Sequence, residues 1–183
     1  GEEISNVTIQ DIVTDGPHMS HYTVTLGGVH NVLVKNLKIY NKTVHPLSFN
    51  TFATKNVYQD CEIFADALLD QHSGANHQNL FDHITVHITP DKNNSYYLFG
   101  GGGADYWKPS HGPFSTFWNL NVLVDKPAEI TKPVLLYGMK DGPFARIVGV
   151  NGNAKFEVKY DPDAYMEFLN MSMDKVPSLY EYQ

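Results

Sequence analysis

Asn6-Val7-Thr8-Ile9-Gln10-Asp11-Ile12 is the stretch that decides the fold, because related stretches recur three times along the chain. The recurrences begin at Asn31, Asn56 and Asn79, so the steps between the leading asparagines are 25, 25 and 23 residues. Each copy alternates β-branched or aromatic residues with polar ones, and a turn-rich stretch and a second short apolar run follow it. A period of this length predicts an architecture in which each copy is one structural unit.

The predicted unit is one coil of a stacked β-solenoid. Two or three strands of about five residues, with their corners, fill a coil of this length, and the apolar spacing of about 3.6 that a helical repeat needs is absent. Equivalent residues of successive coils then lie over one another. We expect the leading asparagines to form a column at a corner. We expect one apolar residue from each repeat to form a second column that faces inward: Ile12, Leu37, Cys61, Ile84, Leu120 and Val150.

The second half of the chain has longer spacings. Loops are inserted after His87 between predicted strands at 116–123, 134–137, 144–150 and 155–159, and such insertions are where solenoids usually carry binding surfaces. We expect residues 1–183 to form a single domain. Gly1 opens the chain without a methionine, so we expect a C-terminal part of a longer protein, with the remainder of that parent chain as a partner.

Composition excludes two classes of function. The chain has 20 acidic and 13 basic residues, a net charge of −7, and Arg146 is its one arginine, so it has no basic footprint for nucleic acid. No apolar run approaches the roughly 20 residues of a membrane span. Cys61 is the one cysteine and lies in an apolar stripe, which predicts a buried thiol.

The coil period, the asparagine corners and two further stretches resemble right-handed β-helix proteins of the pectate-lyase-like superfamily. The two stretches are Leu69-Asp70-Gln71-His72-Ser73-Gly74-Ala75-Asn76-His77-Gln78-Asn79-Leu80-Phe81-Asp82 and Pro177-Ser178-Leu179-Tyr180-Glu181. They are similar to an uncharacterised branch encoded with polysaccharide-degrading enzymes. The resemblance implies an all-β, right-handed parallel β-helix of about six coils. It also implies cleavage of uronic-acid polysaccharides or glycoside hydrolysis, although Arg146 lacks the surroundings of the pectate lyase base.

Candidate catalytic residues lie in the first of these stretches. Asp70 and His72 are two apart on a predicted strand, so their side chains leave one face about 7 Å apart and are predicted as orienting partner and base. A lyase would use His72 with a lysine or a calcium ion, whereas a hydrolase would need two carboxylates, for which Asp66, Asp70 and Asp82 are the candidates. The alternative is a hydrogen-bonded ladder of Asp70, Gln71 and His72 between coils.

Candidate substrate-binding residues flank this group. We assign Gln71 and His77 to substrate binding, together with Tyr106, Trp107 and His111 of the glycine-rich loop 98–112. Glycines let backbone approach a ligand closely, and the two aromatic rings offer flat faces for a sugar. In the alternative interpretation the aromatic rings fix the loop onto the sheet.

No metal ligand is assigned from the sequence. All nine histidines lie between His18 and His111, but there is no HExxH motif and no cysteine pair, and the segment 79–88 alternates like a strand, which spreads His83 and His87. Calcium bound by corner aspartates is favoured over zinc as a cofactor.

The sequence therefore predicts a secreted or periplasmic β-helix domain whose partner is a polysaccharide or oligosaccharide. One hypothesis is an enzyme, either a lyase or a glycoside hydrolase. The other is a non-catalytic carbohydrate-binding or structural module. An open groove at Asp70 and His72 favours the enzyme, whereas burial of these side chains in ladders between coils favours the module.

Overall fold

The computed structural model describes residues 4–102 and 111–183. Apart from a 3-10 turn at Pro127–Glu129 and a short helix α1 (Leu179–Tyr182), the regular structure in these ranges is β-strand. The strands in chain order are β1 (Ser5–Thr14), β2 (Ser20–Tyr22), β3 (Thr25–Leu26), β4 (His30–Ile39), β5 (Thr43–His45), β6 (Leu47–Phe49), β7 (Val57–Gln59), β8 (Glu62–Ile63), β9 (Leu69–Gln71), β10 (Leu80–Asp82), β11 (Thr85–Ile88), β12 (Ser95–Gly100), β13 (Thr116–Val124), β14 (Val134–Gly138), β15 (Arg146–Gly152), β16 (Phe156–Tyr160) and β17 (Tyr165–Leu169).

The strands form parallel sheets that follow the order of the chain. In the first sheet β1, β4, β7 with β8, β10 with β11, β13, β15 and β17 lie side by side, and in the second β3, β6, β9, β12, β14 and β16 do so. Strands β2 and β5 form a small third sheet. All strand pairings within the described ranges are parallel. Along the chain, strands of the first main sheet thus alternate with strands of the second. This arrangement confirms the predicted all-β class and the predicted parallel stacking.

The predicted inward column is confirmed by the strand register. Ile12 lies opposite Leu37, and Leu120 lies opposite Val150. Cys61 and Ile84 lie at the same level of the stack, because the paired residues on either side of each of them keep one constant register with the neighbouring strands. Five of the six side chains are at most 1% exposed, and Ile12 at the first strand packs against the same core. Burial of one apolar column along the stack supplies a large part of the hydrophobic stabilisation.

A column of left-handed residues lies next to this apolar column. Seven residues at one height of the first sheet have φ between 51° and 74°: Asp11, Asn36, Asp60, His83, Asn119, Gly149 and Phe168. Asn, Asp and Gly adopt this conformation more readily than other residues. The Asn36 amide also donates to Asp11 Oδ1 over 2.7 Å, so this bend is linked from one repeat to the next.

The prediction that all four leading asparagines lie at the left-handed corner position is correct for the first two and wrong for the last two, where the corner residue comes one position earlier. Asn6 and Asn31 have the left-handed backbone expected at a corner, but Lys55 and Gln78 adopt it in the next two repeats. The register requires this, because Leu33 lies opposite Val57 and the step between these repeats is therefore 24 residues rather than 25.

The shifted asparagines are buried and bond across the repeats. Asn56 is 1% exposed; its Oδ1 accepts from Val32 N over 2.9 Å and its Nδ2 donates to Val29 O over 3.1 Å. Asn79 repeats the pattern, with its Nδ2 donating to Ala53 O over 3.0 Å and its Oδ1 accepting from Asn56 N over 3.1 Å. These amides accept from the backbone N–H groups of Val32 and Asn56, and they add a second donor to the Val29 and Ala53 carbonyls, which also accept from Thr54 N and His77 N.

Aromatic rings fill the space between the two main sheets. Phe49, Phe81 and Phe117 form a continuous row, in which Phe49 is tilted against Phe81 with ring centroids 4.7 Å apart and Phe81 stacks on Phe117 at 5.1 Å. Tyr58 is also fully buried, and its hydroxyl donates to Val24 O over 2.6 Å. No helix in the described ranges is long and apolar enough to cross a membrane.

We predict that Asn56→Ala lowers the free energy of unfolding by about 1–3 kcal/mol, because it leaves the buried N–H of Val32 without its acceptor, whereas Val29 O keeps the Thr54 N–H as a donor. Asn31→Ala is the control, since Asn31 is exposed and its amide bonds no buried backbone group of the described residues, so that only its left-handed backbone should matter, at a cost of about 1 kcal/mol. Urea unfolding of both variants measures the difference. Equal losses would contradict the structural role of the buried amide.

We predict that the native Cys61 thiol does not react with Ellman's reagent at pH 8. Burial raises the pKa of Cys61 to about 12, so the reactive thiolate is nearly absent, and the side chain is 1% exposed. The same protein unfolded in guanidinium should release one equivalent of thionitrobenzoate within minutes. A fast reaction of the folded protein would contradict the burial of this column.

Candidate functional site

The candidate site is a cluster of polar side chains on the outer side of the second sheet. Asp70 lies in β9 between Leu69 and Gln71. Leu69 faces the core, and the Asp70 side chain is 1% exposed. Ser48 is its neighbour in β6 and donates from Oγ to Asp70 Oδ2 over 2.9 Å. Gly100 is its neighbour in β12. The parallel register therefore encloses the carboxylate between two adjacent strands.

Two histidines flank this carboxylate. His45, at the end of β5, places Nδ1 2.9 Å from Asp70 Oδ2, and His72, just after β9, places Nδ1 3.3 Å from the same oxygen. Neither ring nitrogen is aligned to make a hydrogen bond with it. The imidazole side chains are 14% and 17% exposed, and their ring centroids are 4.2 Å apart. All three groups thus share one small, half-enclosed space.

Tyr22 forms the outer wall of the cluster. Its hydroxyl lies 3.2 Å from His72 Nε2, and its ring stacks on His45 with centroids 4.9 Å apart. Tyr22 and His45 are neighbours in the small third sheet, where β2 pairs with β5. This pairing fixes the orientation of both rings over Asp70.

The electrostatics of the cluster favour a negative Asp70. Burial by itself raises the pKa of a carboxyl, but the nearby His45 and His72 outweigh it, so the pKa of Asp70 is lowered. Burial and the charge of Asp70 together raise the pKa of Tyr22. A carboxylate and a neutral phenol therefore coexist here at neutral pH.

A glycine run, here meaning Gly100, Gly101 and Gly102, covers the cluster from the other side. A Cβ on Gly100 would lie 3.0 Å from Asp70 Oδ1, and one on Gly102 would lie 3.3 Å from His72 Nδ1. The first glycines thus allow the backbone to approach these side chains closely. The predicted substrate-binding residues Tyr106 and Trp107 lie outside the described residues.

A groove of about 590 Å³ lies beside the glycine run on the second sheet. Tyr97, Tyr137 and Lys159 are register neighbours on β12, β14 and β16 and line its floor. The two tyrosines are 44% and 38% exposed, with ring centroids 5.5 Å apart. Gly101 N donates to the Tyr97 hydroxyl over 3.2 Å. This hydrogen bond connects the groove to the glycine run that covers Asp70.

The other predicted substrate-binding residues described by the structure do not line this groove. Gln71 is fully buried and packs against Gly112. The Nδ1 atom of His77 lies 2.7 Å from the Oγ1 atom of Thr54 in the preceding repeat. His111 is half-buried at the start of the second described range. Their assignment to substrate binding stays a prediction.

The carboxylates proposed for hydrolysis are separated. Asp66 is 57% exposed and pairs with Lys42 over 3.6 Å, whereas Asp82 is fully buried in β10 of the first sheet. Asp70 and Asp82 lie on different sheets, next to the core residues Leu69 and Phe81. Their assignment as the carboxylate pair of a glycoside hydrolase stays a prediction.

Asp82 is held by the C-terminal segment. Its Oδ2 accepts from Ser178 Oγ over 2.6 Å and from Tyr180 N over 3.0 Å, and its Oδ1 accepts from Leu179 N over 2.9 Å. Burial raises the pKa of Asp82, and these three donors offset only part of that effect. The carboxylate caps α1 and fastens the last residues to the first sheet.

Sequence reasoning missed His45, Ser48 and Tyr22. Each is separated by more than 20 residues from the residue that it contacts, so no local motif joins them. The available signal is the period of the second-sheet strands: 22 residues separate Ser48 from Asp70, and 23 separate Tyr22 from His45. Aligning those strands, rather than the leading asparagines, brings the group together.

Comparison of the chain with protein-family models, with curated proteins and with solved structures gave no match.

We predict that Asp82→Ala releases the C-terminal segment. The amides of Leu179 and Tyr180 lose their acceptor, so their hydrogen exchange should accelerate by roughly 10–100-fold, equivalent to about 1.4–2.8 kcal/mol. Asp125→Ala is the control, because Asp125 is an exposed carboxylate that accepts from Thr89 Oγ1 and should leave these amides unchanged. Unaltered exchange in Asp82→Ala would contradict the capping role.

Proposed function

We propose that the chain is a right-handed parallel β-helix domain that binds a polysaccharide or oligosaccharide in the groove over Tyr97 and Tyr137. The supporting observation is the pair of exposed aromatic rings in register on adjacent strands, within a groove lined by polar side chains. Sugars are recognised by flat aromatic faces combined with hydrogen-bonding groups, since their rings have apolar faces and hydroxylated edges.

The helical winding is supported by the topology. Strands of the two main sheets alternate along the chain, each sheet follows chain order, and the pairings are parallel. A connection that returns to a parallel neighbour in the same sheet is right-handed in about 98% of proteins. Six strands in the second sheet correspond to the expected six coils, with the insertions in the second half.

Size and charge of the groove fit a glycan. Its volume of about 590 Å³ lies in the range of about 300–1,000 Å³ typical of small-ligand sites. Asp91 and Asp161 balance Lys140 and Lys159 along its lining, and Asn93 adds an amide. A neutral or weakly acidic glycan segment fits this balance better than a highly charged one. We propose a secreted or periplasmic location, where such polymers are accessible to a binding domain.

Burial of Asp70 favours binding over catalysis. At 1% exposure, between Ser48 and Gly100, this carboxylate belongs to a ladder between strands rather than to an open cleft. The function that the geometry supports best is therefore a non-catalytic carbohydrate-binding module.

A second candidate function is polysaccharide lysis, which one contact favours. The Tyr22 hydroxyl and His72 Nε2 are 3.2 Å apart beside the glycine run, and a hydroxyl and an imidazole at this distance can transfer a proton, as β-elimination next to a uronate requires. Incubation of a glycan panel with the protein, read as new reducing ends and unsaturated-uronate absorbance, tests this role. Product formation that His72→Ala abolishes would establish lysis; an unchanged rate would remove His72 from the mechanism.

We predict that Tyr137→Ala and Tyr97→Ala each weaken binding of the best glycan in such a panel by about tenfold, or about 1.4 kcal/mol, because each removes one stacking face. Tyr165→Ala is the matched control, since Tyr165 is 58% exposed but lies on the first sheet. Titration calorimetry compares the three variants. Binding that is lost equally in all three, or in none, would contradict the groove as the glycan site.

A further inference from the structure

Three potential metal ligands converge in the cluster around Asp70. His45, Asp70 and His72 each offer one ligand atom, and these atoms all lie within 4.8 Å of one another. They come from β5, from β9 and from the turn after β9, so the strand pairing rather than a local sequence motif brings them together.

The distances suit a shared ion. Ligands about 2.1 Å from one ion stand about 3.0 Å apart in octahedral geometry and about 3.4 Å apart in tetrahedral geometry. The two Nδ1 atoms lie 2.9 and 3.3 Å from Asp70 Oδ2. These two distances match the spacing of ligands on one ion, and all three ligand atoms lie within 4.8 Å of one another.

The polar atoms at the centre lack hydrogen-bond partners among the described residues. Asp70 Oδ1, His45 Nδ1 and His72 Nδ1 are all buried and unpartnered. Leaving one such atom without a partner costs about 1–3 kcal/mol, and more when the group is charged. A cation bound by the two Nδ1 atoms and by both oxygens of the Asp70 carboxylate would satisfy all three atoms at once.

The surroundings hold the ligands as a metal site requires. His72 Nε2 contacts the Tyr22 hydroxyl, which leaves Nδ1 facing Asp70, and Ser48 Oγ donates to Asp70 Oδ2. Histidine ligands usually bond a second group through the ring nitrogen that does not bind the metal, and carboxylate ligands are themselves hydrogen-bonded. Stacking of Tyr22 on His45 orients the other imidazole.

We propose that His45, Asp70 and His72 bind a divalent first-row transition-metal ion. Two imidazole nitrogens select ions such as Zn²⁺, Co²⁺ or Ni²⁺ over Ca²⁺ and Mg²⁺, which prefer oxygen ligands. Three protein ligands leave one or more coordination positions for water or a ligand hydroxyl. The site lies beside the glycine run that borders the groove, but its existence does not depend on glycan binding.

Metal-stripped protein titrated with Zn²⁺ by calorimetry, and with Co²⁺ by visible absorption, tests the proposal. We expect one equivalent of each ion to bind, with cobalt d–d bands that show nitrogen and oxygen ligands, and no competition from millimolar Ca²⁺. Asp70→Asn and His72→Ala should each weaken Zn²⁺ binding by about 100-fold or more, since even partners of metal ligands contribute about 10–100-fold.

His87→Ala is the matched control. His87 is a half-buried histidine paired with a carboxylate, 2.9 Å from Glu62, but it lies on the first sheet away from the cluster. The affinity of the His87→Ala variant for Zn²⁺ should stay within twofold of that of the unmodified protein. If Asp70→Asn does not fold, the double variant His45→Ala with His72→Ala, which leaves the buried carboxylate and its serine donor in place, decides the question.

Absence of stoichiometric binding in the folded protein would overturn the proposal. So would binding that survives both the Asp70→Asn and His72→Ala changes, which would show adventitious contact with surface histidines only. The titrations contain no glycan, so their failure leaves the proposed binding groove untouched, and failure of the glycan assay leaves the metal site untouched.

Discussion

The in-register stacking of parallel strands is the constraint on which the rest of the structure depends. Each repeat must place a left-handed residue at the same height of the first sheet, because that bend turns the strand and keeps Leu37, Cys61 and Ile84 in one inward column. A slip of one residue would move this apolar column to the outer face. It would also separate the buried Asn56 amide from the backbone groups that it bonds. Apolar burial and hydrogen bonding therefore enforce the same register.

The same stacking positions both outer sites. Asp70 is enclosed because its register neighbours are Ser48, a donor, and Gly100, which has no side chain to displace it. Tyr97 and Tyr137 form an exposed pair because a parallel sheet brings like positions about 4.8 Å apart on one face. Polar and aromatic groups that are distant in the chain thus become neighbours, without any helix or long local motif.

The repeat and the inward column were predictable from the sequence, because alternation and period express burial directly. The corner was less so: Asn31 and Asn56 look equivalent, but one is an exposed left-handed residue and the other a buried amide, and only strand register distinguishes them. Asp70 and His72 were predicted to lie together, whereas His45 was missed because it contacts Asp70 across a repeat. The contacts of Asp82 depend on Ser178, 96 residues away, and no periodic signal reports such a contact.

The most direct test of the central claim is the detection of scalar couplings through the hydrogen bonds that join successive repeats. Thr85 N donates to Cys61 O and Asn121 N donates to Ile84 O, each over 2.9 Å. A long-range HNCO spectrum of the deuterated protein should show correlations from the Thr85 and Asn121 amides to the Cys61 and Ile84 carbonyls. Correlations to carbonyls of antiparallel neighbours, or to carbonyls displaced by one residue, would contradict the stacked parallel register and remove the basis for both sites.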